Sequence, residues 1–179
     1  MLSGRGGVDR LRLLPKYYLV VSGTALSPVS PLNAFDGALK AAGIHNTNLV
    51  AVSSILPRGV VHLEFNREEL ASFFEPGEIV FVVQAVRMGR EGEYLSAGLM
   101  WGEGIASNGL VVEHTSSREG PSGEELEEVR REVVEALRSK FQEGVRIRGI
   151  RTKEPRFKVA EVLVPEGMYG CALVALILC

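Results

Sequence analysis

Apolar positions along this chain fall mostly in short, β-branched runs broken by glycine and proline; in two places they recur at helical spacing instead. Runs at 17–22, 48–57, 60–65, 79–88, 93–101, 110–114, 158–164 and 171–178 predict strands. A first helix is predicted over 30–43. Ser30 is a good N-cap, Pro31 suits the first helical position, and Leu32, Phe35, Leu39 and Ala42 share a face. Gly43 suits its stop. A second helix opens on a capping box of Ser122 and Glu125, and Leu126, Val129, Val133, Leu137 and Phe141 form its apolar stripe. Gly144 is expected to end it. Residues 67–74 predict a short further helix closed by Glu75-Pro76-Gly77. Residues 23–30 and 115–121 read as loops. Gly89-Arg90-Glu91-Gly92 between two apolar runs is a hairpin signal. His62 and Glu64 alternate with apolar neighbours and are expected to face solvent. Many strands with two well-formed helices imply an α+β fold, its sheets covered by helices on their outer faces.

Composition narrows the picture. A length of 179 residues suits one domain with a sizeable core. A net charge of −2 gives no attraction for nucleic acid or an anionic membrane. The two cysteines, Cys171 and Cys179, have no partners at metal-site spacing and form no disulfide scaffold. Cys171 reads as a small buried hydrophobe. Residues 1–13 form a Gly- and Arg-rich leader without the apolar core of a signal peptide, and 14–179 form the domain. No apolar run reaches membrane-spanning length, so the expected location is cytoplasmic.

Two features carry candidate chemistry. Ser53 and Ser54 interrupt the apolar stretch 48–57 just before Pro57. In a plain strand one hydroxyl of the pair would face the core and need a partner. Either both serines are satisfied strand residues, or the peptide bond between them is itself the reactive group. Asp36 sits beside Gly37 in the middle of the first helix, where both are poor formers. The chain has only one other aspartate, Asp9, so Asp36 is either a solvent-facing residue or one placed for geometry. His45 and His114 have no constellation around them and receive no role.

The motif Pro31-Leu32-Asn33-Ala34-Phe35-Asp36-Gly37-Ala38-Leu39, then Gly43-Ile44, Asn48-Leu49 and Ser53-Ser54-Ile55-Leu56-Pro57, closely resembles the pyruvoyl-dependent arginine decarboxylases. Gly109-Leu110-Val111-Val112-Glu113 and Gly170-Cys171-Ala172-Leu173 continue the likeness, over about residues 17–179. The resemblance implies a four-layer αββα sandwich and a trimer with active sites between subunits. It implies self-cleavage between Ser53 and Ser54 into a β chain of 1–53 and an α chain of 54–179, with residue 54 becoming a covalent pyruvoyl group. That group would take the place of pyridoxal phosphate as electron sink, through a Schiff base to L-arginine, giving agmatine and carbon dioxide; no metal is implied. Asn48 would polarise the Ser53 carbonyl during processing. Glu113 would protonate the substrate Cα; if its strand face is covered, desolvation favours the protonated carboxyl that a general acid requires. Asp36, helped by the new Ser53 carboxylate, would hold the guanidinium. The alternatives are a pyruvoyl decarboxylase of another amino acid and an unprocessed, non-catalytic trimeric homologue.

Overall fold

The computed structural model describes residues 13–66, 69–70, 72–120 and 123–179, without the side chain of residue 124. Residues 1–12 of the expected leader, the Ser122 cap and positions 67, 68 and 71 of the short helix expected at 67–74 lie outside the described residues. Two sheets face each other. One holds, in order, β2 (Asn48–Ala51), β5 (Ile79–Arg90), β9 (Tyr169–Leu178), β1 (Tyr17–Ser27) and β4 (Val61–His62). The other holds β3 (Ile55–Leu56), β7 (Gly109–Glu119), β6 (Glu93–Gly102) and β8 (Arg156–Leu163). Two helices are bounded among the described residues, α1 (Pro31–Ala41) and α2 (Gly123–Arg148), and Glu69 and Leu70 are also helical.

Strand β9 is the spine of the larger sheet. It pairs antiparallel with β1 on one side and β5 on the other, and residues 170–178 are all buried. A strand covered on both faces cannot alternate, which is why its sequence is an unbroken apolar run. Leu95, Leu99, Val111, Val174 and Leu176 fill the space between the sheets. Ala34, Ala38 and Leu39 of α1 pack with Leu173, Ala175 and Ile177. Val133, Leu137 and Phe141 of α2 pack with Met100 and Leu110. The product is a single α+β domain of sandwich-like build.

Several local expectations give way to pairing over distance. The expected loop after residue 22 continues β1 to Ser27, because β9 pairs with it throughout. Strand β7 likewise runs through the expected loop to Glu119 against β6. The run at 89–92 is not a hairpin: β5 and β6 belong to different sheets, and the turn is a corner between them. There Gly92 N–H bonds Val164 O at 2.8 Å, tying the corner to the end of β8. Gly144 does not end α2. A Cβ there would stand 2.6 Å from Leu110 Cδ2, so the glycine serves close packing, and Gly149, with φ +58°, follows the actual end.

The same logic explains the glycine in α1. A Cβ on Gly37 would lie 2.7 Å from the Ala25 methyl, and one on Gly23 would lie 2.0 Å from Ala38 O. Helix and strand therefore touch through their backbones. Gly23→Ala must push α1 off β1, and overpacking of this kind costs about 1–3 kcal/mol. The expected result is a lower urea midpoint at unchanged slope.

Candidate active site at the junction of two sheet edges

Strand β2 is the outer strand of its sheet, and β3 is the outer strand of the other. The chain crosses from one to the other at the serine pair. The 48–57 stretch is therefore not one buried strand but two short edge strands with a break between them. The last bond to the first sheet is Val52 N–H to Val82 O, at 2.9 Å. The first bond to the second is Val111 N–H to Ser54 O, at 2.8 Å. Between these anchors, Ile55 N–H donates to Ser53 O at 2.9 Å. This i→i+2 bond makes a γ-turn centred on Ser54. The Ser53 carbonyl is thus polarised by a backbone donor and belongs to neither ladder. Ser53 is exposed and Ser54 half-buried, and neither hydroxyl has a hydrogen-bond partner among the described residues.

Glu113 lies in the middle of β7, opposite Leu99. By the two-residue period it shares the face of Val111, which belongs to the inter-sheet core. Its Cα stands about 7 Å along the strand from that of Val111, which anchors Ser54. The core ends before it, and within one chain its side chain is exposed. Lys140 of α2 donates from Nζ to Glu113 O at 2.9 Å and lies 3.2 Å from His114 Nδ1. Burial, with the Lys140 cation, holds the His114 pKa below the usual histidine value. A neutral His114 can accept a hydrogen bond from Lys140 at Nδ1.

The other two candidates stand apart from the serine pair. Asn48 begins β2; its N–H bonds Glu78 O at 2.7 Å and its side-chain Nδ2 donates to Gly77 O at 2.8 Å. Four residues along the edge of the sheet, a span of about 16 Å if extended, separate it from Ser53. Asp36 is exposed on α1 with no hydrogen bond or ion pair among the described residues. Its neighbour Gly37 meets Ala25, which is level across β9 with Met88, well along β5 from the Val82 that anchors Val52. A single chain therefore joins Ser53, Ser54 and the strand that carries Glu113, but not Asp36 or Asn48. Cys171 is fully buried, and burial pushes its thiol up to about 12, far from reactivity.

At the opposite edge of the sandwich the structure assembles a polar cluster that sequence reading missed. The buried Tyr18 hydroxyl donates to Glu103 Oε1 at 2.7 Å and accepts from Trp101 Nε1 at 3.2 Å and from Arg156. Glu103 also pairs with Lys153 at 2.7 Å and Arg156 at 2.8 Å. Burial alone would raise the Glu103 carboxyl, but the bonds from Lys153 and Tyr18 and both cations hold it below the usual carboxylate range. His62 does not simply face solvent. It stacks on Tyr18 with ring centroids 4.7 Å apart and receives Arg156 at Nδ1, 3.1 Å away. Burial and that guanidinium lower its pKa. The only local hint was that buried Tyr and Trp need polar partners. The partners lie as far as 138 residues away in sequence.

Comparison with known proteins decides what the serine junction belongs to. The family model for pyruvoyl-dependent arginine decarboxylase matches residues 17–179. The chain belongs to the pyruvoyl-dependent arginine decarboxylase family. Among its relatives, the pyruvoyl-dependent arginine decarboxylase of Methanothermobacter thermautotrophicus is 36% identical over 139 residues, 75% of this chain and 79% of that one. The Methanopyrus kandleri protein of the same name is 32% identical over 164 residues, 92% of this chain and 97% of that one. The Pyrococcus abyssi protein of that name is 35% identical over 139 residues, covering 75% and 78%.

Family membership makes this chain a decarboxylase whose prosthetic group is a covalent pyruvoyl, rather than a metal ion or pyridoxal phosphate. The residues present fit that group. A serine stands at position 54 with an unpartnered hydroxyl, a polarised carbonyl before it and an anchored carbonyl of its own. Among the described residues, no group of His, Cys, Asp and Glu could hold a metal ion, and no helix is long and apolar enough to cross a membrane.

Proposed function

We propose that this protein cuts itself between Ser53 and Ser54 and then decarboxylates L-arginine to agmatine. The observation that carries the proposal is the γ-turn at the junction. It leaves the Ser53 carbonyl outside both ladders, with Ile55 N–H on its oxygen. Ser54 Oγ attacks the Ser53 carbonyl carbon through a five-membered ring; the peptide C–N bond breaks, leaving an ester and a free amine on residue 54. Loss of the Ser54 Cα proton then breaks the Cβ–O bond and frees Ser53 as a carboxylate. Residue 54 is left as dehydroalanine, which tautomerises to an imine, and water releases ammonia to leave the ketone. Val111 N–H, on the Ser54 carbonyl at 2.8 Å, would hold residue 54 in place during processing.

The pyruvoyl group supplies the ketone that takes the substrate's α-amine and the electron sink for the carbanion left by carbon dioxide. Glu113 delivers the proton to substrate Cα. Its strand face is open in one chain, and a neighbouring subunit closing over it supplies the desolvation that suits a general acid. Asp36 accepts the guanidinium through two parallel hydrogen bonds, beside the Ser53 carboxylate. Asn48 supports the Ser53 carbonyl during processing. Asp36 and Asn48 stand away from the serine pair of their own chain, which supports sites shared between subunits, here read as a trimer of four-layer αββα subunits. The exposed apolar residues Val50, Ile55 and Ile79 flank the same edge and suit a covered surface. The protein works in the cytoplasm.

The test is made on purified protein. A denaturing gel is expected to show two fragments, with mass spectrometry finding a ketone rather than an amine at position 54. Offered a panel of amino acids, the protein is expected to release carbon dioxide from arginine and accumulate agmatine. A different amine as the main product would transfer the assignment to another substrate, and an uncut inactive chain would remove it.

A further inference from the structure

We propose that Lys140 is a positioning residue for Glu113, an inference that rests on the reading of Glu113 as the proton donor. The argument begins with the backbone of β7. On the side away from β6, β3 pairs with only Gly109 and Leu110. Val111 N–H, pointing to that side, is taken by Ser54 O. The two-residue period of a strand turns the N–H and C=O of Glu113 to the same side. Among the described residues no strand meets β7 there, so the chain segment that carries the acid runs along an open edge. Its carbonyl at residue 113 is received instead by Lys140 Nζ, at 2.9 Å.

Two contacts therefore hold this edge, two residues apart. One fixes residue 54 and the other fixes the residue that must reach the substrate carbon bound there. Lys140 approaches from the α2 side, where it also meets His114 Nδ1, whereas the Glu113 side chain lies on the inter-sheet face. The lysine acts on the strand and not on the carboxyl itself. Displacement of a reacting group by about 1 Å can cost on the order of 100-fold in rate. An edge strand without this tether gains that freedom.

The test uses the mature enzyme. Lys140→Met keeps the apolar stem and removes the donor. It is expected to cut fully at 53–54, to lose at least about tenfold in kcat, and to keep KM for arginine within about twofold. Backbone amides at 111–115 should exchange hydrogen faster. Lys140→Arg restores the donor and should recover most of kcat. Lys140→Gln, whose shorter amide cannot reach the carbonyl, serves as the second variant and should show the same split. Wild-type kcat in both donor-less variants, unchanged exchange at 111–115, or no rescue by arginine would overturn the proposal. Glu113→Gln is measured alongside. If it is impaired while Lys140→Met is not, only the tether fails; if it is fully active, Glu113 is not the acid and the tether has nothing to serve.

Discussion

Ser54→Ala is expected to yield one uncut polypeptide of 179 residues without decarboxylase activity. Without Oγ there is no nucleophile for the Ser53 carbonyl and no leaving oxygen for the elimination, so the electron sink is never made. The loss should reach about 10⁶-fold or more, the usual span of enzymatic acceleration. The fold should survive. The Ser54 hydroxyl has no partner among the described residues, and both flanking anchors, at Val52 and Val111, use backbone atoms that alanine keeps. A denaturing gel reads the uncut chain, and circular dichroism reads the intact fold. Two fragments from Ser54→Ala would show that another residue starts the cleavage.

Glu113→Gln is expected to separate processing from turnover. Glutamine is nearly isosteric and cannot act as the acid, so kcat should fall by about 10²–10⁴-fold, the usual contribution of one general acid. Cleavage at 53–54 should continue, because the contacts at the junction come from Val111 and Ile55 backbone amides. The measurement is steady-state agmatine formation by a preparation shown on a gel to be fully cut. Full activity would assign the proton to another group; an uncut chain would give Glu113 a part in processing.

How much of this was legible beforehand depends on the range of the interaction. The helix at Pro31–Ala41 was plain because its cap, its N1 proline and its apolar face are all local. The buried run of β9 was plain for a similar reason. The corner at Gly92 was read as a hairpin because two apolar runs joined by a glycine-rich turn look the same whether their strands pair or part into different sheets. The stretch 48–57 was read as one strand because the β-branched pattern continues through the point where hydrogen bonding stops. Gly37 looked like a weak point in a helix and Gly144 like a helix stop, and only the packing on Ala25 and Leu110 shows why a side chain is kept out of each. The motif around Ser53-Ser54 led to the family directly. The separation of Asp36 and Asn48 from that pair within one chain is a matter of topology that no local pattern records.

The proposed cut between 53 and 54 falls after β2, so the shorter product would carry β1, α1 and β2. In the larger sheet β1 lies between β9 and β4, both of which belong to the longer product. Ten paired residues join β1 to β9 alone. The shorter product would therefore supply an interior strand of the sandwich rather than a discarded propeptide. With the chain cut there, unfolding a subunit would release two molecules where the precursor would release one. Refolding of a cut subunit would then need a bimolecular encounter that dilution slows, whereas an uncut subunit would fold as a single chain before it assembles.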